Sequence, residues 1–302
     1  MSSATSRPVS SEFLFEEDFL RKLEYLVVVA RKIFAGRIRA QRRTKRFGSG
    51  VQFADYRSYV QGDDFRYVDW NAYVRFEHLF LKLFEEEEDL HIYLLLDASR
   101  SMDFGQPRKF DYARRLAAAI GYIGLASLDR INVTPFAESL GRQLSTMRGK
   151  GQVFNLLRFL SRLEVMTQTD FGQALAKFAH QRHHHGLAVV ISDFFDPAGY
   201  VRGLNCLRFN GFEVFAIQVL AHAESNPTEL GDLRLLDVET SLGRNVTVNE
   251  RLLRTYRARF SGFCDELKQF CLEREIGYVR ATTSIPFDDL VLKMLRSGRF
   301  LQ

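Results

Sequence analysis

From about residue 90 onward, short apolar runs alternate with amphipathic stretches of helical length, and this alternation constrains the fold more than any other property of the chain. Runs too short for a helix, separated by segments long enough for one, are the pattern of an α/β sheet whose parallel strands are joined by crossover helices. Strands are predicted at His91–Leu96, Ile131–Phe136, Leu187–Ser192, Glu213–Val219 and Tyr278–Ala281. Helices are predicted near Arg108–Ser127, Gln152–Arg162, Phe171–Gln181, Ala198–Arg208, Glu250–Arg274 and Phe287–Leu295. His91–Leu96 is almost continuously apolar, as a central strand covered on both faces must be. The expected fold class is therefore a doubly wound, mostly parallel α/β sheet with helices on both faces. Ser225–Asn249 carries no readable pattern.

The first 89 residues read differently. Residues 1–15 are small and polar, predicting a disordered tail. From Glu16, apolar residues at Phe19, Leu23, Leu26, Ala30 and Ile33 recur at helical spacing. The acidic Glu16, Glu17 and Asp18 suit the positive end of that helix, and Gly36 is predicted to end it. Eight basic residues then lie between Arg31 and Arg46. Residues 1–50 hold eleven Lys/Arg against five Asp/Glu, so the rest of the chain contributes −1 to the formal +5. The basic pI of about 9.1 thus describes an N-terminal arm rather than the body. Three parts are predicted: a tail to residue 15, a helix with basic arm and extension over 16–89, and an α/β body over 90–302.

The longest apolar stretches, such as Tyr25–Ala30 and Ile92–Leu96, fall well short of the roughly 20 residues that cross a bilayer. The opening residues Met-Ser-Ser-Ala-Thr-Ser have no apolar signal region, so the expected location is the cytoplasm. Cys206, Cys264 and Cys271 make no Cys-x-x-Cys pair and read as reduced thiols. His183–His185 reads as a solvated helix end, because adjacent imidazoles do not converge easily on one ion.

The chemistry is concentrated directly after the first predicted body strand, at Asp97-Ala98-Ser99-Arg100-Ser101-Met102. Ligands of open α/β sheets bind beyond the carboxyl ends of strands, which is where this loop lies. One carboxylate and two hydroxyls at alternate positions can turn their oxygens to one point and suit a hard cation. Mg²⁺ takes six oxygens and tends to keep water among them. One loop cannot supply the shell. Thr169, just before the helix beginning at Phe171, and Asp193, closing the strand Leu187–Ser192, add two further donors. Alone, Asp-x-Ser-x-Ser is more often a cap or turn; three converging loops make it a candidate metal site.

The Asp-x-Ser-x-Ser loop, a later Thr before a helix and a later Asp closing a strand resemble the metal-ion-dependent adhesion site of von Willebrand factor A domains. The resemblance implies a von Willebrand factor A-like fold. It also implies direct cation contacts from Ser99 and Ser101, contact from Thr169 directly or through water, and contacts from Asp97 and Asp193 mostly through water. A carboxylate from a partner would complete the shell. Gln168 and Phe194 stand where many such domains have glycine. The blocks Gly50-x-x-Phe53-Ala54-Asp55-Tyr56-Arg57 and Gly62-Asp63-Asp64-x-Arg66-x-Val68-Asp69-Trp70, followed by Lys82 and an acidic run, narrow the likeness. From about Gly36 to Asp193 the chain resembles the bacterial domain of unknown function 58 family. That resemblance implies partnership with a MoxR-type AAA+ ATPase in a chaperone-like or complex-maturation system.

Two functional classes remain. In the first, Mg²⁺ (or Mn²⁺ or Ca²⁺) at Asp97, Ser99, Ser101, Thr169 and Asp193 binds an acidic protein ligand, without catalysis. In the second, Asp97, Asp170, Asp193 and Asp196 form a metal-dependent nuclease or phosphatase. Two-metal hydrolysis calls for a carboxylate-rich cluster, and Ser99 occupies the place of the second acid in an Asp-x-Asp loop. No Gly-x-x-x-x-Gly-Lys-Ser/Thr phosphate loop, Gly-x-Ser-x-Gly elbow or His-Glu-x-x-His helix occurs. Arg57, Asp63, Asp64, Arg66, Asp69 and Trp70 form either a locally paired turn or a partner-binding surface rich in the residues of interface hot spots. For the basic arm, nucleic acid is disfavoured by the scarcity of aromatics for stacking; contact with the acidic run Glu85–Asp89 or with an acidic ATPase surface remains open.

Overall fold

The computed structural model describes residues 15–34, 43–47, 52–87, 90–166, 169–181, 184–236 and 243–297. The predicted tail falls almost wholly outside them. By internal contacts the chain forms two units, one holding residues up to Ala30 together with everything from Leu90, the other running from Arg31 through the end of the extension. The N-terminal helix, as far as Ala30, therefore groups with the body, whereas the sequence placed all of it with the extension.

That helix, α1, spans Glu17–Phe34, with Glu17 and Asp18 in its first turn and Arg31 and Lys32 in its last, matching both ends of its dipole. Its stripe of Phe19, Leu23, Leu26, Val27 and Ala30 is buried. Phe19 stacks against Phe287 at 4.8 Å, and Lys22 pairs with Asp288 at 3.5 Å.

The second unit contains an antiparallel sheet in the order β1-β3-β2, formed by β1 (Arg43–Phe47), β2 (Gln52–Ser58) and β3 (Phe80–Glu87). Register sets Arg43, Thr44 and Lys45 opposite Glu87, Glu86 and Glu85, so the end of the basic arm pairs by its backbone with the acidic run. Helix α2 (Trp70–Phe76) is capped by Asp69, whose carboxylate accepts the backbone N–H groups of Asn71 and Ala72 at 3.0 and 3.3 Å. Asp69 is buried, accepts the Tyr56 hydroxyl at 2.8 Å and pairs with Lys82 at 3.0 Å.

The body contains β4 (His91–Asp97), α3 (Lys109–Ala126), β5 (Arg130–Phe136), β6 (Leu144–Arg148), α4 (Val153–Ser161), α5 (Phe171–Gln181), β7 (Leu187–Ser192), α6 (Val201–Phe209) and β8 (Glu213–Leu220). It continues with α7 (His222–Ser225), β9 (Gly231–Leu236), β10 (Gly243–Val248), α8 (Glu250–Glu273), β11 (Gly277–Thr282) and α9 (Phe287–Ser297). One sheet runs β11-β8-β7-β4-β5-β6, parallel throughout except for β6 at the edge. Every predicted body strand and helix is present, with ends displaced by a few residues at most. Strand β6 and the β9–β10 hairpin were not predicted.

Side chains alternate across the sheet. Tyr93, Leu95, Ala188, Val190, Val214 and Ala216 pack with Phe171, Leu175 and Phe178 of α5, Leu204 and Leu207 of α6, and Leu267 and Cys271 of α8. The opposite face carries α3. A Cβ at Gly124 would stand 2.5 Å from Ile131 Cδ1, so glycine lets α3 lie close on β5. Cys264 and Cys271 are buried, unbridged thiols, as expected. Among the described residues no helix is long and apolar enough to cross a membrane.

Its hydrogen bonds and Lys82 hold the Asp69 carboxyl down at about 2, against the opposing effect of burial. A depressed carboxyl stabilises the fold above its unfolded value of roughly 4, and that contribution fades as pH falls toward 2. Urea midpoints followed by the single tryptophan, Trp70, should therefore differ between the native chain and Asp69→Asn at pH 6 and converge between roughly pH 4 and 2.

Candidate metal centre

After β4 the chain builds outward on one side through β5, then returns to place β7 on the other side of β4. The carboxyl end of β4 is thus the point where connections diverge, the place where such sheets bind ligands. Backbone hydrogen bonds gather the three predicted loops there. Ala98 N–H donates to Phe136 O at 2.8 Å, and Ala98 O accepts Met166 N–H at 2.6 Å. Asp170 N–H donates to Ala137 O at 3.3 Å, and Phe171 N–H donates to Asp196 Oδ2 at 2.6 Å. The loop after β4 is tied to the approach to α5, and the start of α5 is tied to the loop after β7.

Asp97 ends β4, and Leu96 pairs with Ile191, so Asp97 lies beside Ser192 at the end of β7. Asp97 Oδ1 accepts Ser99 N–H at 2.9 Å, and Oδ2 accepts the Ser192 hydroxyl. Asp193 Oδ1 accepts Phe195 N–H at 3.0 Å, and Oδ2 accepts Lys109 Nζ at 2.7 Å. Both oxygens of each carboxylate are therefore engaged. The hydroxyl oxygens of Ser99 and Ser101 lie 3.0 Å apart. Thr169 Oγ1 is buried and hydrogen-bonds to nothing among the described residues. Burial, reinforced by the nearby Asp193 charge, pushes the Asp97 carboxyl well above its ordinary range.

This donor set fits a hard cation. A buried hydroxyl without a partner is costly unless something completes it, and two neighbouring carboxylates inside a protein call for positive charge. Since Asp97 and Asp193 already accept two hydrogen bonds each, the hydroxyls of Ser99, Ser101 and Thr169 are the oxygens free to make direct contact.

Lys109 and Glu224 were not singled out in the sequence. Lys109, at the first position of α3, is fully buried, and its ammonium donates to Asp193 at 2.7 Å and Glu224 at 2.6 Å. It also lies 5.2 Å from the centre of the Phe195 ring. Burial opposes its charge, but the two carboxylates outweigh that and hold its pKa above the usual lysine range. A lysine at a helix N-terminus opposes the helix dipole, and this was the signal available in the sequence. Its partner Glu224 lies 115 residues away and carried no such mark.

Two local features shape the loops. Phe194 has φ of +63° and is 1% exposed, packed against Phe171 and Tyr200 at 5.4 and 6.2 Å. It adopts the left-handed conformation that glycine would take at lower cost, and burial of the ring, about 1.5–3 kcal/mol, offsets a strain of roughly 1–2 kcal/mol. Gly105 has φ of +90°, and a Cβ there would stand 2.6 Å from Ala221 Cβ, so only glycine lets the loop after β4 close on the end of β8. Asp170 and Asp196 are caps: Asp170 Oδ1 accepts Gln173 N–H at 2.8 Å, while Asp196 accepts Phe171 N–H and, at 2.7 Å, Ala198 N–H.

In the second unit, five of the six candidate partner residues are joined in local pairs and caps. Arg57 pairs with Asp63 at 2.5 Å, and Arg66 with Asp64 at 2.6 Å, as the turn alternative anticipated. Asp69 caps α2. Trp70 is 57% exposed.

The family model described as "Protein of unknown function DUF58" matches residues 55–262. An uncharacterized protein of Mycobacterium tuberculosis is 27% identical over 210 residues, covering 68% of this chain and 66% of that protein. An uncharacterized protein of Mycobacterium avium is 31% identical over 107 residues, 34% of this chain and 63% of that protein. The match thus spans slightly less than two thirds of these relatives' length. Among solved structures, a conserved hypothetical protein, BatB from Bacteroides thetaiotaomicron, is 16% identical with a TM-score of 0.41, covering 70% of this chain and 98% of that one. An aerotolerance-related membrane protein from Bacteroides fragilis is 15% identical with a TM-score of 0.44 and the same coverage. Likenesses at this level add nothing to the sheet order already described.

Removing Lys109 leaves Asp193 and Glu224 buried without their cation. Lys109→Met should therefore cost about 3–5 kcal/mol in urea unfolding; a cost below about 1 kcal/mol would show that the ion pairs are not formed.

Proposed function

Because the chain belongs to the DUF58 family, and because its Asp-x-Ser-x-Ser loop joins two other loops in a hydroxyl-rich site, we propose that it is a metal-dependent protein-binding module acting with a MoxR-type AAA+ ATPase. The observation that carries this reading is the pair of Ser99 and Ser101 hydroxyls 3.0 Å apart, beside buried carboxylates that already accept two hydrogen bonds each. Ser99, Ser101 and Thr169 would hold Mg²⁺ directly, with Asp97 and Asp193 contacting it through water. When bound, the cation supplies a Lewis-acidic position that accepts a carboxylate oxygen from outside. Neutral hydroxyl ligands leave more of the cation's charge for that incoming group than carboxylate ligands would.

The residues around this position orient and do not react. Ser192 and the Ser99 amide fix the Asp97 carboxylate, and Lys109 fixes that of Asp193. The hydrolase alternative is not favoured. Asp170 and Asp196, which it needs as ligands, each accept backbone amides at the start of α5 or in the turn after β7. Among the described residues, no group of three or more His, Cys, Asp or Glu is placed to hold a metal. The MoxR partnership rests on the family likeness and is the part of the reading that needs a partner to test it.

Mg²⁺ should raise the melting temperature of the native chain, corresponding to about 2.7 kcal/mol at a hundredfold excess over its Kd. Ser99→Ala and Thr169→Val should abolish the rise. Retention of a MoxR-type ATPase on the immobilised chain should require Mg²⁺ and be lost in Ser99→Ala; equal retention in EDTA contradicts the proposal.

A further inference from the structure

Beside the candidate cation site lies a cavity of about 940 Å³ formed by the loop after β4, the α7 segment, the β9–β10 hairpin and the start of α8. All of these elements belong to one unit. Its lining includes Phe104, Glu224, Leu233, Val246, Leu252 and Tyr256. Phe104, Leu252 and Tyr256 are each 40% exposed, a notable amount for large apolar or aromatic side chains gathered around one cavity. A concavity of this size, mostly apolar with a few polar groups, is what a ligand-binding surface requires.

The cavity and the cation site are linked through Glu224, Lys109 and Asp193. Phe104 follows Ser101 by three residues, so it lies no more than about 11 Å away along the chain. Gly105 presses this loop onto Ala221. Glu224 lines the cavity with one side while its carboxylate accepts Lys109 at 2.6 Å and Ala221 N–H at 2.8 Å, and Lys109 in turn holds Asp193. Tyr256 closes the same wall by donating its hydroxyl to Glu224 O at 3.0 Å. Lys109 carries one charge against the two carboxylates of Asp193 and Glu224, so it offsets Glu224 in part. Arg244, also in the lining, is exposed and pairs with no carboxylate among the described residues, and it stands there with the acidic Glu229.

We propose that this cavity receives an apolar side chain of the same partner segment whose carboxylate completes the cation's shell. The ligand is thus an acidic–apolar peptide segment, and the cavity sets its specificity. The inference rests on the proposed cation-dependent reading. With a reach of roughly 3.3–3.6 Å per extended residue, the apolar side chain belongs two to four residues from the acidic one.

Selection of short random peptides displayed on phage, using the full chain in Mg²⁺, tests this. Enriched peptides should carry Asp or Glu with Leu, Ile, Met or Phe two to four residues away. An individual selected peptide should bind about tenfold more weakly, or worse, to Leu252→Ser and to Phe104→Ser, exposed positions whose variants should melt within a few degrees of the native chain. Its acidic preference should survive in both variants. Enriched peptides with an acid but no apolar preference overturn the cavity's role and leave the cation reading standing. Peptides selected equally well in EDTA, or no enrichment at all, overturn both.

Discussion

Two carboxylates, Asp97 and Asp193, stand at the ends of adjacent parallel strands inside the protein, and burying like charges together is among the most expensive arrangements a fold can adopt. The surrounding structure can be understood as the means by which that arrangement persists. Each carboxylate oxygen accepts a hydrogen bond, from Ser192, from the amides of Ser99 and Phe195, or from Lys109. Lys109 is held against the helix dipole by a second carboxylate from another segment, Glu224. Nothing in folding alone demands two acids here, since apolar residues would complete the strand ends at lower cost. The buried ammonium of Lys109 supplies part of the positive charge that the pair requires.

The strands make that ligand position rigid. β4 is hydrogen-bonded on both sides, and the loops that leave β4, β5 and β7 are stitched to one another through Ala98, Ala137 and Asp196. Positive φ angles, strained at Phe194 and natural at Gly105, occur where the loops turn around the site and are held by tight packing. On such supports the hydroxyl and carboxylate oxygens are held in place by the fold itself.

The sequence made the sheet legible because a parallel strand buried on both faces must be apolar along its length, and His91–Leu96 and Leu187–Ser192 are. β6 escaped notice because it is a short edge strand, Leu144-Ser-Thr-Met-Arg, with only Met147 buried. The β9–β10 hairpin is exposed over most of its described length, so burial imposes little apolar pattern on it. In the extension the apolar run Leu79–Leu83 reads as a strand and lies in β3 (Phe80–Glu87), whereas β1 and β2, rich in charged and polar residues, carried no strand pattern. At the site, Asp97, Ser99, Ser101, Thr169 and Asp193 were identifiable from spacing relative to strand ends. Lys109 carried only the weak signal of a lysine at a helix N-terminus, and Glu224 none, because their pairing joins residues 115 positions apart and leaves no local period. Asp170 and Asp196 looked like ligands of a hydrolase and serve as caps, a distinction that hydrogen bonds make and residue type does not.

The central claim is that three hydroxyls from two loops form the direct ligand set of a divalent cation. Anomalous difference maps from crystals of the full chain grown with Mn²⁺ test it most directly. The account predicts one strong peak within about 2.3 Å of Ser99 Oγ, Ser101 Oγ and Thr169 Oγ1, with the Asp97 and Asp193 carboxylates one water further out. A peak held instead by Asp170 and Asp196, or no peak at the end of β4, would contradict it.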